Sequence, residues 1–369
     1  MHVNAFPPEI LVNIFEQGKS SPACEIGGST LLFTVSQVCA AWRAIAHGYP
    51  FLWDDLRLSA RSSPQKAKNL IARYKGPTIA VTVDRSTTPP DPIAYWNMLN
   101  AVTAQAVRLR SLRFIGPAAS LRLFSRACVR YTFPRLRDLV FIESAAVPDQ
   151  GVPPHISIEA PNVASLAYTR MVPLRRGNYP RLRELQLEDS AYFVHFDQPD
   201  GFVEQQLLEL QVLSITASPL PLLRNPSLCP TDSNIVSLKL CGLRTADIAP
   251  DSLAGFFRIV RMPLLRRLEV SGLVDYLLDE FIHSLAPTGR LPPRYPVLKS
   301  LTLRSLSLAE IDGNSLHAVQ SVSKMRLVDL DPRPLVHILE RDHRVCPNVR
   351  EIRLGNGVVL RLRSGVSPR

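Results

Sequence analysis

Residues able to do chemistry are few in this sequence and badly grouped for it. His337, His343 and Cys346 come near the ligand spacing of a zinc finger, but a tetrahedral zinc site needs a matching second pair, and no such pair lies nearby. Asp54-Asp55 and Asp279-Glu280 are adjacent in sequence. Their side chains therefore diverge, and they read as solvated charges or helix caps rather than an acid and its base. There is no P-loop, no GxSxG elbow and no GxGxxG following a strand. The six cysteines (Cys24, Cys39, Cys128, Cys229, Cys241, Cys346) are scattered with no CxxC pair, which points to reduced thiols rather than a zinc ribbon or redox motif. The expectation is a chain with no cofactor, no metal centre and no catalytic group, one that works through its surfaces.

The elements that would carry such surfaces follow from composition and periodicity. With 369 residues and 46% hydrophobic content the chain can bury a substantial interior. Only 7% is aromatic, so that interior is expected to consist of many small leucine contacts. Thirty-two prolines against 17 glycines punctuate structure without making a flexible linker. Residues 1–7 lack a basic region followed by an apolar core, and no run reaches the length of a membrane helix. These features predict an intracellular protein, cytoplasmic or nuclear, with no membrane partner. The net charge of +11 favours acidic partners, yet Lys and Arg are dispersed rather than clustered, which argues against dedicated nucleic-acid binding.

The first fifty-odd residues read as a helical module. Pro8 and Glu9 suit a helix start, and Ile10, Leu11, Ile14 and Phe15 form a stripe that Gly18 closes. A polar loop through Pro22, Gly27, Gly28 and Ser29 leads into a second helix with Val35, Val38, Cys39, Trp42, Ile45 and Ala46 on one side. Gly48 and Pro50 stop it, and Phe51-Leu52-Trp53 with Leu56 and Leu58 return the chain as an anchor and short strand.

Pro7-Pro8-Glu9-Ile10-Leu11, Ile14-Phe15, Val35-Ser36-Gln37-Val38-Cys39, Trp42-Arg43, Ile45-Ala46 and Pro50-x-Leu52-Trp53 together resemble the F-box, particularly its fungal form. The resemblance implies a hook that binds the Skp-family adaptor of SCF (Skp, cullin, F-box) ubiquitin ligases. It further implies that Pro7, Pro8, Ile10, Leu11, Ile14, Val35, Val38 and Trp42 form or support the adaptor-binding surface. Phe6 stands where the family usually has Leu, and the loop between the two helices is long.

Beyond residue 100 a motif of apolar, two variable, apolar, one variable, apolar recurs. Its anchors are Leu109, Leu112, Phe114; Leu136, Leu139, Phe141; Val163, Leu166, Tyr168; Leu182, Leu185, Leu187; and Leu210, Leu213, Ile215. Five more follow: Ile235, Leu238, Leu240; Leu265, Leu268, Val270; Leu298, Leu301, Leu303; Val322, Met325, Leu327; and Val349, Ile352, Leu354. The steps between first anchors, 19 to 33 residues, are those of leucine-rich repeats. The predicted fold class is α/β: an N-terminal helical F-box over residues 1–58, a connecting segment and atypical first repeat over 59–105, and an irregular leucine-rich-repeat solenoid over 106–369. Parallel strands would line its concave face. Helical periodicity in 64–73, 120–130, 251–261, 273–285 and 334–345 would supply the helices, and 78–83 reads as a strand. The ladder position three places after the last anchor is irregular: Ser144, Ser190, Ser218, Leu243, Leu273, Leu306 and Leu330.

On the exposed sheet face the sequence places Lys239, Arg267, Arg304, Lys324, Arg326 and Arg353, opposed by Glu269 and Glu351. The positive bias suggests a substrate-binding surface for an acidic or phosphorylated protein segment, since Arg offers forked donors. The alternative is a basic scaffold that binds nucleic acid or another anionic partner, with the helical module serving only as packing.

Overall fold

The structure, a computed structural model, describes residues 6–20, 28–59, 62–73, 76–85, 91–144, 158–169, 179–189, 209–217, 231–242, 257, 260–272, 295–305, 320–329, 331–341 and 347–361. The chain divides into two compact units, Met1–Leu166 with Pro173–Arg181, and Ala167–Val172 with Leu182–Arg369.

The first unit opens with three helices: α1 (Pro8–Ser20), α2 (Gly28–Val38) and α3 (Ala40–Gly48). Helix α1 continues two residues past Gly18, so this glycine is not a stop. It lies at a close approach instead: a Cβ there would sit 2.8 Å from Leu31 Cδ2. The single second helix expected from the apolar stripe is in fact two. Cys39 has extended backbone (φ −157°, ψ 171°), and its thiol accepts from Trp42 N, capping α3. A 3.6-residue stripe survives a one-residue break almost in phase, so periodicity does not register it. The loop residues Pro22 and Gly27 lie outside the described residues.

A 3-10 turn at Pro50–Trp53 buries Leu52 and Trp53 and leads into β1 (Asp55–Ser59). Then come α4 (Pro64–Arg73), β2 (Ile79–Asp84), α5 (Pro92–Thr103), β3 (Leu109–Gly116), α6 (Ala118–Cys128), β4 (Asp138–Glu143) and β5 (Ser165–Thr169), whose residues from Ala167 on belong to the second unit. Helices α4 and α6 fall where helical periodicity placed them, and β2 where a strand was expected. Helix α5 has no counterpart in that reading. Its start signal is nonetheless in the sequence: Asp91 Oδ1 accepts from Ile93 N at 2.8 Å, and Pro92 occupies the first turn. Strands β1 to β4 are neighbours in that order and all parallel.

The second unit contains β6 (Glu184–Glu188), β7 (Val212–Thr216), β8 (Thr231–Asp232), β9 (Ser237–Cys241), β10 (Val260–Arg261), β11 (Arg267–Ser271), β12 (Ser300–Arg304) and β13 (Lys324–Val328). They are followed by α7 (Arg333–Arg341), β14 (Glu351–Leu354) and β15 (Val359–Arg361). Strand order is β6-β7-β9-β11-β12-β13-β14-β15, open at the β15 edge, and parallel except for the final antiparallel pair. Strands β8 and β10 form a separate two-stranded parallel pair.

Register turns the repeated anchors into continuous rows. Leu185, Leu213, Leu238, Leu268, Leu301, Met325 and Ile352 face one another strand by strand, and so do Leu187, Ile215, Leu240, Val270, Leu303, Leu327 and Leu354. Of all the anchors, only Leu185 and Leu354 are half-buried; the rest are buried. Each contributes on the order of 1.5–3 kcal/mol by leaving water, and a one-residue slip would turn a whole row to solvent.

Both strand ends carry a recurring backbone device. Before β6, β7, β9, β11 and β12, a single carbonyl accepts two N–H donors from the following repeat, as Arg266 O does from Lys299 N and Ser300 N, and Lys299 O from Ser323 N and Lys324 N. After β6, β7, β9, β11, β12 and β13, one residue takes left-handed φ: Asp189 (50°), Ala217 (48°), Gly242 (56°), Gly272 (63°), Ser305 (51°) and Asp329 (54°). Its N–H donates to the last strand carbonyl of the next repeat, as from Ala217 to Cys241 O, Gly242 to Ser271 O and Ser305 to Val328 O. This turn lies ahead of the expected ladder position. Ser144 Oγ is buried without a hydrogen-bond partner; Ser190, Ser218, Leu243, Leu273, Leu306 and Leu330 lie outside the described residues, as do 251–256, 258–259 and 273–285, while Val260 and Arg261, expected to end a helix, form strand β10 instead.

Among the described residues, no helix is long and apolar enough to cross a membrane, and no group of three His, Cys, Asp or Glu could hold a metal. His337 is exposed on α7; His343, Cys346, Asp279 and Glu280 lie outside the described residues.

Candidate functional site

The helical module has more apolar side chains than its interior can take. Leu11, Val12 and Phe15 on α1 are buried, as are Leu32 and Val35 on α2, while Ile10 and Ile14, one helical turn apart, face outward at 43% and 48% exposure. Val38 at the end of α2 is 57% exposed and Phe51 43%. Pro7 and Pro8 are exposed as well. Beneath them Phe15 meets Trp42 edge to face at 5.2 Å, and Trp53 meets Phe33 at 5.5 Å. Trp53 Nε1 donates to Ala46 O at 2.7 Å, and Arg43 Nε to Ser36 O at 2.9 Å. The Arg73 guanidinium of α4 lies 4.9 Å from the Phe33 ring and 5.4 Å from Trp53, so the next helix also braces the module. His47, beside Trp53, has its pKa lowered from the ordinary 6.5 by desolvation and then by the Arg73 and Arg43 charges.

The eight residues assigned to the adaptor surface therefore separate by depth. Pro7, Pro8, Ile10, Ile14 and Val38 present a surface; Leu11 and Val35 are at 2% and 7% exposure and shape it from below. Trp42 is half-buried, and its Nε1–H is buried without a partner. Phe51, read from the sequence as part of a buried anchor, is instead on the surface against Tyr49 at 5.9 Å. Its neighbours Leu52 and Trp53 supply the burial, which a three-residue apolar run does not distinguish.

The second candidate surface is the polar face of the second unit's sheet, where register again builds rows. The outermost row runs Glu184, Val212, Ser237, Arg267, Ser300, Lys324, Glu351; the middle row Gln186, Ser214, Lys239, Glu269, Thr302, Arg326, Arg353; the last Glu188, Thr216, Cys241, Ser271, Arg304, Val328. All six expected cations are exposed on this face. Two are engaged: Lys239 Nζ lies 3.8 Å from Glu269, and Arg353 pairs with Glu351, which holds the guanidinium pKa above its ordinary value. Arg267, Arg304, Lys324 and Arg326 make no ion pair with a described residue.

Residues 3–59 match the F-box-like family. F-box domains generally bind Skp-type adaptors, and the match suggests a role in adaptor binding within SCF-type ligases. Comparison with curated proteins finds no match for the chain.

Proposed function

We propose that this protein is a non-catalytic substrate-recognition subunit of an SCF-type ubiquitin ligase, docking the Skp-family adaptor through Pro7, Pro8, Ile10, Ile14, Val38 and Phe51 and holding a protein substrate on a leucine-rich-repeat sheet. The observation that carries this reading is the exposed Ile10, Ile14 and Val38 over a packed Phe15–Trp42 core, within the segment that matches the F-box-like family. An apolar cluster left in water marks an interaction surface. The last two anchors of seven triplets, stacked in register from β6 to β14, support the repeat reading. The surplus of cations at Arg267, Arg304, Lys324 and Arg326 supports an acidic or phosphorylated ligand. Ubiquitin transfer is then the work of other subunits, and this chain contributes proximity, raising the effective concentration of substrate lysines at the conjugating enzyme. On this reading the protein works in the cytoplasm or nucleus.

Quantitative affinity recovery tests the division of labour. Ile14→Glu with Val38→Glu is expected to lose adaptor and cullin while keeping other bound proteins; Arg304→Glu with Arg326→Glu is expected to do the reverse. Adaptor retained by the first variant would overturn the reading.

A further inference from the structure

The sheet face is polarised along its length, and this goes further than a general positive bias. At one end, β6 presents Glu184 and Glu188, with Gln186 between them donating to Glu184 and Thr169 donating to Glu188. Neither carboxylate forms an ion pair with a described residue. The next strand, β7, carries only Val212, Ser214 and Thr216 on this face, and β9 adds Ser237 and Cys241. In the centre Lys239 pairs with Glu269, and Arg267 on β11 adds one further cation on the side toward β12. At the other end Arg304, Lys324, Arg326 and Arg353 occupy three adjacent strands against the single carboxylate of Glu351. Arg326 and Arg353 stand directly opposite one another in register, and a like-charge cross-strand pair is unfavourable unless something anionic lies on it. The preceding edge residues Arg183, Arg266, Lys299 and Arg350 are cationic at both ends and so do not set this polarity.

We infer that the ligand of this face is an extended peptide with segregated charge, crossing the strands with its basic end over Glu184 and Glu188 and its acidic end over Arg304, Lys324 and Arg326. The inference rests on the reading that the sheet face recognises a protein substrate. From β6 to β13 is five strand steps, about 24 Å at ~4.8 Å each. An extended chain covers that distance in about seven residues at ~3.4 Å each. Beside the acidic end, Val212, Ser214 and Thr216 of β7 leave room for the peptide backbone, and the two charged ends fix its direction. A uniformly acidic segment would satisfy the β12–β14 end and meet repulsion at β6, so the acidic strand selects against it.

The test uses the full chain and labelled synthetic peptides in fluorescence anisotropy at fixed ionic strength. One peptide carries two Arg and two Glu separated by about seven neutral residues; a second has the same composition with charges alternating; a third carries Glu only. The segregated peptide is expected to bind about tenfold tighter than the alternating one. Glu184→Lys with Glu188→Lys is expected to weaken the segregated peptide several-fold and strengthen the Glu-only peptide. Adding Arg304→Glu and Arg326→Glu to that pair reverses both ends and is expected to restore binding, with the peptide turned around. Equal binding of the segregated and Glu-only peptides, unmoved by the β6 substitutions, overturns the inference while leaving a basic recognition face intact. Failure of every peptide to bind overturns the inference together with the recognition reading beneath it.

Discussion

The helical module and the repeated sheet solve the burial of apolar residues in opposite ways. The sheet sends nearly every anchor inward and leaves mostly Ser, Thr and charge outside, with Leu264, Val297, Val358 and Val359 the exposed apolar exceptions among the unit's described residues. The module, of about fifty residues, packs Leu11, Phe15, Leu32, Trp53 and Val35 and leaves Ile10, Ile14, Val38 and Phe51 in water. In a stack each anchor can be covered by the next. A small module has less to cover its apolar residues with, and the uncovered ones form an exposed apolar surface. The surface chemistry of the two regions differs accordingly: apolar on one, polar and charged on the other.

The comparison breaks most sharply in the two interiors. Leu268→Ala and Phe15→Ala are each expected to cost about 2–5 kcal/mol, read as lowered denaturant midpoints. Leu268 faces Leu238 on one side and Leu301 on the other, so its loss weakens two strand interfaces at once. Phe15→Ala is expected to weaken adaptor binding only through unfolding, with an affinity that recovers once the folded fraction is accounted for. Leu11→Ala belongs with these core truncations, because at 2% exposure it opens a cavity rather than trimming a surface.

At the strand ends the effects are smaller. Gly272→Ala is expected to lose about 1–2 kcal/mol, since φ is +63° and a Cβ would sit 3.2 Å from Gly242 Cα. Ala217→Gly relieves the same left-handed strain and is expected to gain up to about 1 kcal/mol. Opposite signs at equivalent positions would sharpen the view that one turn geometry recurs with differing residues.

The smallest effect is protonation of His47. Its pKa is lower folded than unfolded, so below the ordinary 6.5 the unfolded chain binds the extra proton first. Stability is therefore full above that value and falls as pH drops through it, and His47→Gln is expected to flatten that part of the profile in a thermal melt series.

Much of this was legible in the sequence because it lies in periodicity. The anchors of the ten triplets repeat in type and spacing, and the F-box-like segment keeps its apolar and Pro positions. What stayed hidden lies in the backbone or in depth. Cys39 breaks a helix while preserving its stripe. The left-handed turn recurs at Asp189, Ala217, Gly242, Gly272, Ser305 and Asp329, only two of them glycine, so no residue type announces it. Leu11 and Ile10 are both apolar and adjacent, and only three-dimensional packing says which is core. The charge polarity of the sheet is present in the sequence one strand at a time; it emerges when register sets Glu184 and Lys324 in one row.

The most direct measurement is a calorimetric titration of a purified Skp-family adaptor against three forms of the full chain: wild type, Ile14→Glu with Val38→Glu, and Arg304→Glu with Arg326→Glu. The account predicts at least about tenfold weaker binding for the first pair, at a folding stability within about 0.5 kcal/mol of wild type, and unchanged binding for the second. Adaptor affinity that ignores the first pair, or falls equally with the second, would contradict it.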